Sequence, residues 1–214
     1  MILCCAVLTG REVRAADTDE QQRINTAVEA LTRLENVNLD EKPAVKAAVH
    51  RVLAKTRGTP NFVKLVQHFQ LTNQTSGLLE VAISNPKDES GVEAMRLVLA
   101  GHDLSAVKDA LQSTNAARLV EALGNAKDRQ VVPLLAPLVT DEARPLEARR
   151  AAVRALTQTQ DGSASLLALA KAEKLPQNLQ FIAATELNSA RWPEIKAEAA
   201  KVLPLPAGRS KSVV

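Results

Sequence analysis

Aromatic residues are almost absent from this chain of 214 residues: three Phe, one Trp and no Tyr make up 2% of it. Strands are usually rich in aromatic and β-branched side chains, which fit a pleated surface. Only eight glycines are present, and no Asn-Gly or Asp-Gly turn separates two alternating runs, as a hairpin would require. The hydrophobic residues, 46% of the chain, are mainly Ala, Leu and Val. The composition therefore predicts an all-α fold.

Cysteine is limited to the adjacent residues Cys4 and Cys5. Neighbouring cysteines rarely bridge each other because the geometry is strained, and the rest of the chain has no thiol. The sequence therefore excludes a disulfide framework, a cysteine-based zinc site and a C-x-x-C-H haem attachment. We expect no cofactor.

Neither sign of charge dominates, since 27 basic and 24 acidic residues leave a net charge of +3. The densest basic stretch contains Arg144, Arg149, Arg150 and Arg154. Glutamates interleave with these arginines, whereas a nucleic-acid-binding face normally has a basic stripe, often with stacking aromatics. We interpret the stretch as a solvated helix and expect no nucleic-acid partner.

The titratable residues show no pattern typical of catalysis or metal binding. His50, His68 and His102 lie on different elements, without a carboxylate or second His one turn away. The paired acids Asp88-Glu89 and Asp141-Glu142 suit helix starts and turns, where acids complement exposed N–H groups. Phosphate-binding glycine loops and a G-x-S-x-G elbow are absent. We expect no catalytic residue and no metal ligand, so the chain is interpreted as non-enzymatic.

Residues 1–15 have features of an export signal. Ile2–Thr9 is an apolar run, and Val13-Arg14-Ala15 offers small residues at the −3 and −1 positions of a cleavage site. No Lys or Arg precedes the run, so a disordered tail is the alternative interpretation. We expect a periplasmic or otherwise exported protein, with a cytoplasmic one as the alternative. The run is too short to cross a bilayer, and no stable membrane span is expected.

The body of the chain, residues 16–206, contains a weak internal repeat. An offset of 32 residues places Leu134-Leu135 on Leu166-Leu167 and Ala151-Ala152 on Ala183-Ala184. A helical unit that recurs in this way buries its apolar face only by stacking on its neighbours. We predict an α-solenoid of about twelve helices in antiparallel pairs, followed by a disordered tail at 207–214.

Capping and periodicity predict the bounds of individual helices. The first helix is predicted at Asp17–Glu35, and Ser163 is the candidate cap of a helix at Ala164–Lys171. Helices at Gln177–Asn188 and Pro193–Val202 are predicted to end the array. Trp192, just before the last of them, is interpreted as an end-capping core residue, with an exposed binding anchor as the alternative.

Two groups of segments resemble known families. Residues Val131–Asn188 resemble HEAT-type repeats, with a proline-bearing first helix, Asp141 in the turn and Arg150-Ala-Ala-Val-Arg-Ala-Leu156 in the second helix. Arg57-Gly-Thr-Pro-Asn-Phe-Val63 and Gly77-Leu-Leu-Glu-Val-Ala82 are similar to the helical region of PVC-type haem-binding bacterial proteins. In those proteins a dehydrogenase-like propeller precedes the helices and a c-type cytochrome follows them. The resemblance implies an exported helical module that lacks the haem-binding motif.

These observations favour a scaffold for protein–protein interaction. Solenoids bind partners on the concave surface formed by the second helix of each pair, and the residues expected there are Arg150, Arg154, Gln180 and Glu186. The alternative function is an accessory or detached module of a c-type cytochrome or dehydrogenase system, whose partner would be such a module. A DNA-processing enzyme on a HEAT-like array would need an aromatic-lined basic cleft, and the low aromatic content disfavours it.

Overall fold

The computed structural model describes residues 8–101 and 104–205, with side chains from residue 18 onward. Within these ranges the chain forms twelve α-helices, one 3-10 turn (Arg129–Val131) and no strand. The predicted all-α fold and the number of helices are therefore confirmed. The helices are α1 (Leu8–Thr32), α2 (Pro43–Lys55), α3 (Pro60–His68), α4 (Thr75–Ser84), α5 (Glu89–Ala100), α6 (Ser105–Ala110), α7 (Ala116–Ala126), α8 (Val132–Thr140), α9 (Leu146–Leu156), α10 (Gln160–Lys171), α11 (Gln177–Asn188) and α12 (Pro193–Val202).

The chain divides into two compact units, Met1–Val81 and Ala82–Val214. In the first unit, α1, α2 and α3 contact one another. The Arg57 guanidinium, just after α2, donates to both carboxylate oxygens of Glu80 at 2.6 and 2.9 Å and to the Ser76 hydroxyl at 2.8 Å. This arginine lowers the pKa of the Glu80 carboxyl through hydrogen bonds and charge. The exposed loop after α2 is thereby fastened to α4.

In the second unit the helices contact one another in two series. One series is α5 to α7, α7 to α9 and α9 to α11, and the other is α8 to α10 and α10 to α12. Helices that follow each other along the chain also contact, as α8 and α9 or α11 and α12 do. Each helix between the ends of these series is therefore covered on more than one side, which explains why Leu119, Leu135 and Leu166 are fully buried.

The core has the predicted composition. Apart from Phe62 and Met95, every buried hydrophobic residue described is Ala, Val or Leu. Small side chains let helix backbones approach closely, and Leu and Val fill the space between them. The described buried polar residues are Thr56, Arg149, Thr157 and Ser163.

Two predicted helix starts were wrong. The first helix already includes Leu8, the first described residue, although it was predicted to begin at Asp17, and it ends at Thr32 rather than Glu35. No proline interrupts residues 8–16. The tenth helix begins at Gln160, because Thr159 is its N-cap and accepts a hydrogen bond from the Gly162 amide at 3.1 Å. Ser163, predicted as the cap, lies inside that helix and is fully buried, with its hydroxyl donating to the Thr159 carbonyl.

The starts of α9 and α11 are 31 residues apart rather than 32. The N-caps of α9 and α11 are Pro145 and Pro176, with nearly the same backbone angles. The buried residues of the two helices match at the same offset: Ala148 with Leu179, Ala152 with Ala183, Val153 with Ala184 and Leu156 with Leu187. The predicted offset of 32 aligned Ala151-Ala152 with Ala183-Ala184, which have the same composition but are shifted by one position along the two helices.

Several predictions concern residues outside the described ranges. They include Cys4, Cys5, His102, the tail at 207–214 and most of the apolar run Ile2–Thr9. The backbone of α1 is continuous through Ala15, where the signal sequence was predicted to end. In the part of the chain that is described, none of the helices combines the length and the apolar character needed to cross a bilayer.

Candidate functional site

A groove of about 330 Å³ lies between α7 and α9 in the second unit. Its α7 wall consists of Ala117, Arg118, Glu121, Gly124 and Asn125. Its α9 wall consists of Glu147, Ala151, Arg154 and Ala155, and Gln158 lines it from the turn after α9. On α9 these residues follow one another at intervals of one, three or four positions, so they form a single stripe of that helix. Arg154, a residue of the predicted binding face, lines this groove.

The floor of the groove is formed where α7 and α9 approach most closely. Gly124 has no β-carbon, and one built there would lie 2.7 Å from the β-carbon of Ala155. Real β-carbons do not approach so closely, so the glycine is required by the packing and not by its backbone conformation. The depth of the groove is therefore limited by the backbones of the two helices.

The polar residues of the α7 wall hold the segment that joins α4 to α5. Arg118 donates to the Ser84 carbonyl at 2.6 Å, and the Asn125 amide donates to the Pro86 carbonyl at 2.9 Å. Glu121 forms an ion pair with Lys87 at 3.1 Å. These three side chains have structural partners, and the α7 wall is consequently fixed in place.

The α9 wall differs because one of its charges has no partner. Glu147 accepts from the Arg150 guanidinium at 2.9 Å, one turn along the helix. Arg154 is exposed, and its side chain makes no hydrogen bond or ion pair with any described residue. A guanidinium has five N–H donors and is suited to planar acceptors such as carboxylates. Arg154 is therefore the charged group on the α9 wall that is free to bind a ligand.

The structure places the four predicted face residues on two helices of one series. Arg150 and Arg154 lie on α9, and Gln180 and Glu186 lie on α11. Arg154 lines the groove, whereas the other three do not. Arg150 is half-buried and paired with Glu147. Gln180 is exposed, with a long contact of 3.5 Å from its amide to the Leu175 carbonyl, and Glu186 is half-buried.

The interpretation of the basic stretch as a solvated face was wrong for Arg149. This residue is 3% exposed, and its Nε donates to the Val139 carbonyl at 3.2 Å. One terminal nitrogen, Nη2, is buried without a partner among the described atoms. Arg149 therefore packs into the unit, while Arg144 pairs with Asp141 at 3.1 Å in the preceding turn.

An exposed aromatic residue, Phe181 on α11, was not among the residues predicted for the binding face. Its exposed fraction is 69%, although isolated phenylalanines are usually core residues. At the offset of 31 residues that relates the starts of α9 and α11, Phe181 is equivalent to the half-buried Arg150. The pair Pro145 and Pro176 could have revealed this register, whereas the offset of 32 aligned Phe181 with the buried Arg149.

Trp192 occupies an intermediate position between the two predicted roles. It is half-buried at the N-cap of α12, and the guanidinium carbon of Arg191 lies 4.9 Å from its ring centroid. Arg191 also donates to the Gln158 carbonyl at 3.1 Å. The turn between α11 and α12 is thus tied to the C-terminal end of α9.

The described candidate histidines and acids are not among the residues that line the groove. His68 contacts the Leu34 carbonyl at 2.9 Å in the first unit, and His50 is exposed on α2. Asp141 accepts the Ala143 amide at 3.1 Å, as expected for an acid in a turn. Within the described residues, no three side chains from His, Cys, Asp and Glu are grouped so that they could hold a metal ion.

The comparisons with known proteins gave no match: no family model, no curated protein and no solved structure matches this chain.

Proposed function

We propose that this protein is a non-enzymatic helical-repeat scaffold that binds a protein partner on the surface formed by α7, α9 and α11. The proposed architecture is a HEAT-like α-solenoid of antiparallel helix pairs. The two series of helix contacts support it, because a solenoid consists of two stacked layers in which each repeat contacts its neighbours. The matching N-caps at Pro145 and Pro176 support a repeating unit as well.

The observation that carries the proposal is the groove with its unpaired Arg154. Most polar side chains of the groove are occupied by contacts within the chain: Arg118 and Asn125 hold backbone carbonyls, and Glu121 and Glu147 are in ion pairs. Such contacts maintain the shape of the surface. Phe181 on α11 adds an exposed aromatic side chain to the same series of helices, and aromatic residues and arginines are enriched among the residues that dominate binding energy at interfaces.

Site-specific photo-crosslinking in the native host tests this proposal. A photoreactive amino acid at Ala151, which lines the groove, should give a discrete adduct with a second protein. The same amino acid at Ala164, an exposed alanine on α10, is the matched control and should not give that adduct. If neither position gives an adduct, or both give the same one, the proposed binding surface is wrong.

The same experiment examines the alternative function. If the adduct formed through Ala151 contains a c-type cytochrome or a propeller dehydrogenase, the chain acts as an accessory module of a redox system. This alternative is supported only by the resemblance of Arg57–Val63 and Gly77–Ala82 to the helical region of such proteins.

The proposed place of action is outside the cytoplasm, on the basis of the apolar run Ile2–Thr9 and the small residues Val13 and Ala15. Mass spectrometry of the protein from its native host tests this location. A periplasmic form that begins at Ala16 is expected, and a cytosolic form that retains Met1 would show that the location is wrong.

A further inference from the structure

We infer that the groove between α7 and α9 takes an acidic peptide segment of the partner, with Arg154 as the carboxylate-binding residue. This inference rests on the proposed scaffold function and specifies the chemistry of its partner.

The charge balance of the groove favours an anionic ligand. Each of its two glutamates is matched by one cation, since Glu121 pairs with Lys87 and Glu147 pairs with Arg150. The guanidiniums of Arg118 and Arg154 are the charges that no described carboxylate compensates. Arg118 donates to a neutral carbonyl, which leaves its charge in place. The lining itself has two arginines and two glutamates, and Lys87 and Arg150 neutralise the glutamates from outside the lining. The positive charges of the two arginines therefore remain to complement an anion.

The geometry of the α9 wall suits a carboxylate on a peptide. Arg154 lies in the last turn of α9 and Gln158 in the turn that follows this helix, and both residues line the groove. Neither side chain has a described partner. A guanidinium can bind a carboxylate through two parallel hydrogen bonds, and a neighbouring amide can donate to and accept from a peptide main chain. Together, Arg154 and Gln158 can bind the side-chain carboxylate and the main chain of an acidic peptide.

The size and lining of the groove favour a short extended segment. Its volume of about 330 Å³ is at the lower end of the range for ligand pockets. The floor consists of Gly124 and Ala155, with Ala117 and Ala151 beside them. An extended segment fits such a shallow groove better than a folded element does. A nucleic acid is less favoured, because two glutamates and no aromatic side chain line the groove.

The test is a titration of the full ¹⁵N-labelled chain with synthetic peptides. Binding is monitored through the chemical shifts of the backbone amides. The probe is a short peptide with glutamates among glycine and serine, and its twin has glutamine at the same positions. We expect saturable shifts of the amides of Ala151, Arg154 and Gln158 with the glutamate peptide. Binding of the glutamine twin should be at least about tenfold weaker, because charge-assisted hydrogen bonds are about twice as strong as neutral ones.

Two variants make the test specific. Arg154→Gln should weaken binding of the glutamate peptide about tenfold, whereas Arg154→Lys should retain part of it because the charge remains. Arg51→Gln is the matched control: it removes one exposed arginine from α2 and should leave binding unchanged.

The inference is overturned if both peptides bind equally, if Arg154→Gln behaves like Arg51→Gln, or if the dissociation constant is weaker than about 1 mM. It is also overturned if a single-stranded oligonucleotide produces the same shifts at lower concentration than the glutamate peptide does. These outcomes are distinct from failure of the scaffold proposal. If a partner crosslinks through Ala151 but the glutamate peptide fails these tests, the scaffold proposal stands and only the acidic chemistry of the ligand is refuted.

Discussion

Gly124 on α7 lies directly against Ala155 on α9, and a β-carbon at position 124 would be 2.8 Å from the α-carbon of Ala155. Glycine inside a helix costs up to about 1 kcal/mol relative to alanine. The helix retains it here because the two backbones meet at this point. The close approach sets both the spacing of the helices and the floor of the groove.

We expect Gly124→Ala to lower the free energy of unfolding by about 1–3 kcal/mol, because overpacking outweighs the gain in helix propensity. Urea denaturation measures the change. The double variant Gly124→Ala with Ala155→Gly should recover part of the loss, since it removes one of the two clashing atoms and leaves the α-carbon. If Gly124→Ala alone is more stable than the parent, the two helices can move apart without a loss of stability.

Ala152→Asp should unfold the second unit or lower its free energy of unfolding by about 3 kcal/mol or more. Ala152 is 0% exposed on α9, so a carboxylate in its place would be larger than the packed methyl group and would be buried away from water. Ala164→Asp on α10 is the control, because this alanine is exposed and experiences a similar loss of helix propensity. Circular dichroism melting compares the two variants. Equal melting temperatures would mean that the burial of Ala152 does not govern the stability of the unit.

The hydrogen bond from Arg149 to Val139 acts as a cap on the last turn of α8. The amide that would normally bond to the Val139 carbonyl belongs to Ala143, and it donates to the Asp141 carboxylate instead. The Arg149 Nε takes its place and brings a positive charge to the negative end of the helix dipole.

We expect Arg149→Met to lower the free energy of unfolding by about 1–2 kcal/mol. The lost charge-assisted hydrogen bond and dipole interaction, about 2–5 kcal/mol together, exceed the relief from no longer burying an unpaired Nη2, about 1–3 kcal/mol. Arg149→Lys should be intermediate. Arg154→Met, which removes an exposed arginine from the same helix, should change stability little. An Arg149→Met variant at least as stable as the parent would identify the buried guanidinium as a net liability.

The sequence was sufficient to predict those helices whose ends have strong local signals. The bounds of α11 and α12 agree with prediction, because Pro176 lies just before the one and Pro193 occupies the first turn of the other. The start of α10 was wrong because Thr159 and Ser163 are both good caps in isolation. Tertiary packing decided between them by burying Ser163.

The environment of single side chains on a helix was harder to predict. Periodicity cannot reveal that Arg149 meets the open carbonyl end of α8, because that contact depends on how two helices pack and on Asp141 diverting an amide. The groove shows the same limit. Arg154 was predicted as a face residue from its position on α9, but the α7 wall lies beside it only through the close approach at Gly124, which no spacing in the chain indicates.

Glu198 on α12 lies between Lys171 on α10 and Lys201 one turn along its own helix, and its carboxylate oxygens are 2.8 Å from the amino group of each. Hydrogen bonds from the two lysines, together with their charges, lower the pKa of the Glu198 carboxyl from 4.5 to about 2. A carboxyl whose pKa is lower in the folded chain stabilises the fold above its unfolded pKa, and this contribution is lost as the pH falls through the folded pKa.

We therefore expect Glu198→Gln to have a lower urea midpoint than the parent at pH 7, and the difference should shrink as the pH falls from 4.5 towards 2. The effect should be modest and should decrease with added salt, because all three side chains are substantially exposed. Glu142→Gln is the control: this glutamate is exposed in the turn after α8 and forms no ion pair with a described residue, so its midpoint should follow the parent at every pH. A deficit for Glu198→Gln that is as large at pH 3 as at pH 7 would mean that the lysines do not stabilise the ionised carboxylate, and that α10 and α12 are held together by apolar contacts alone.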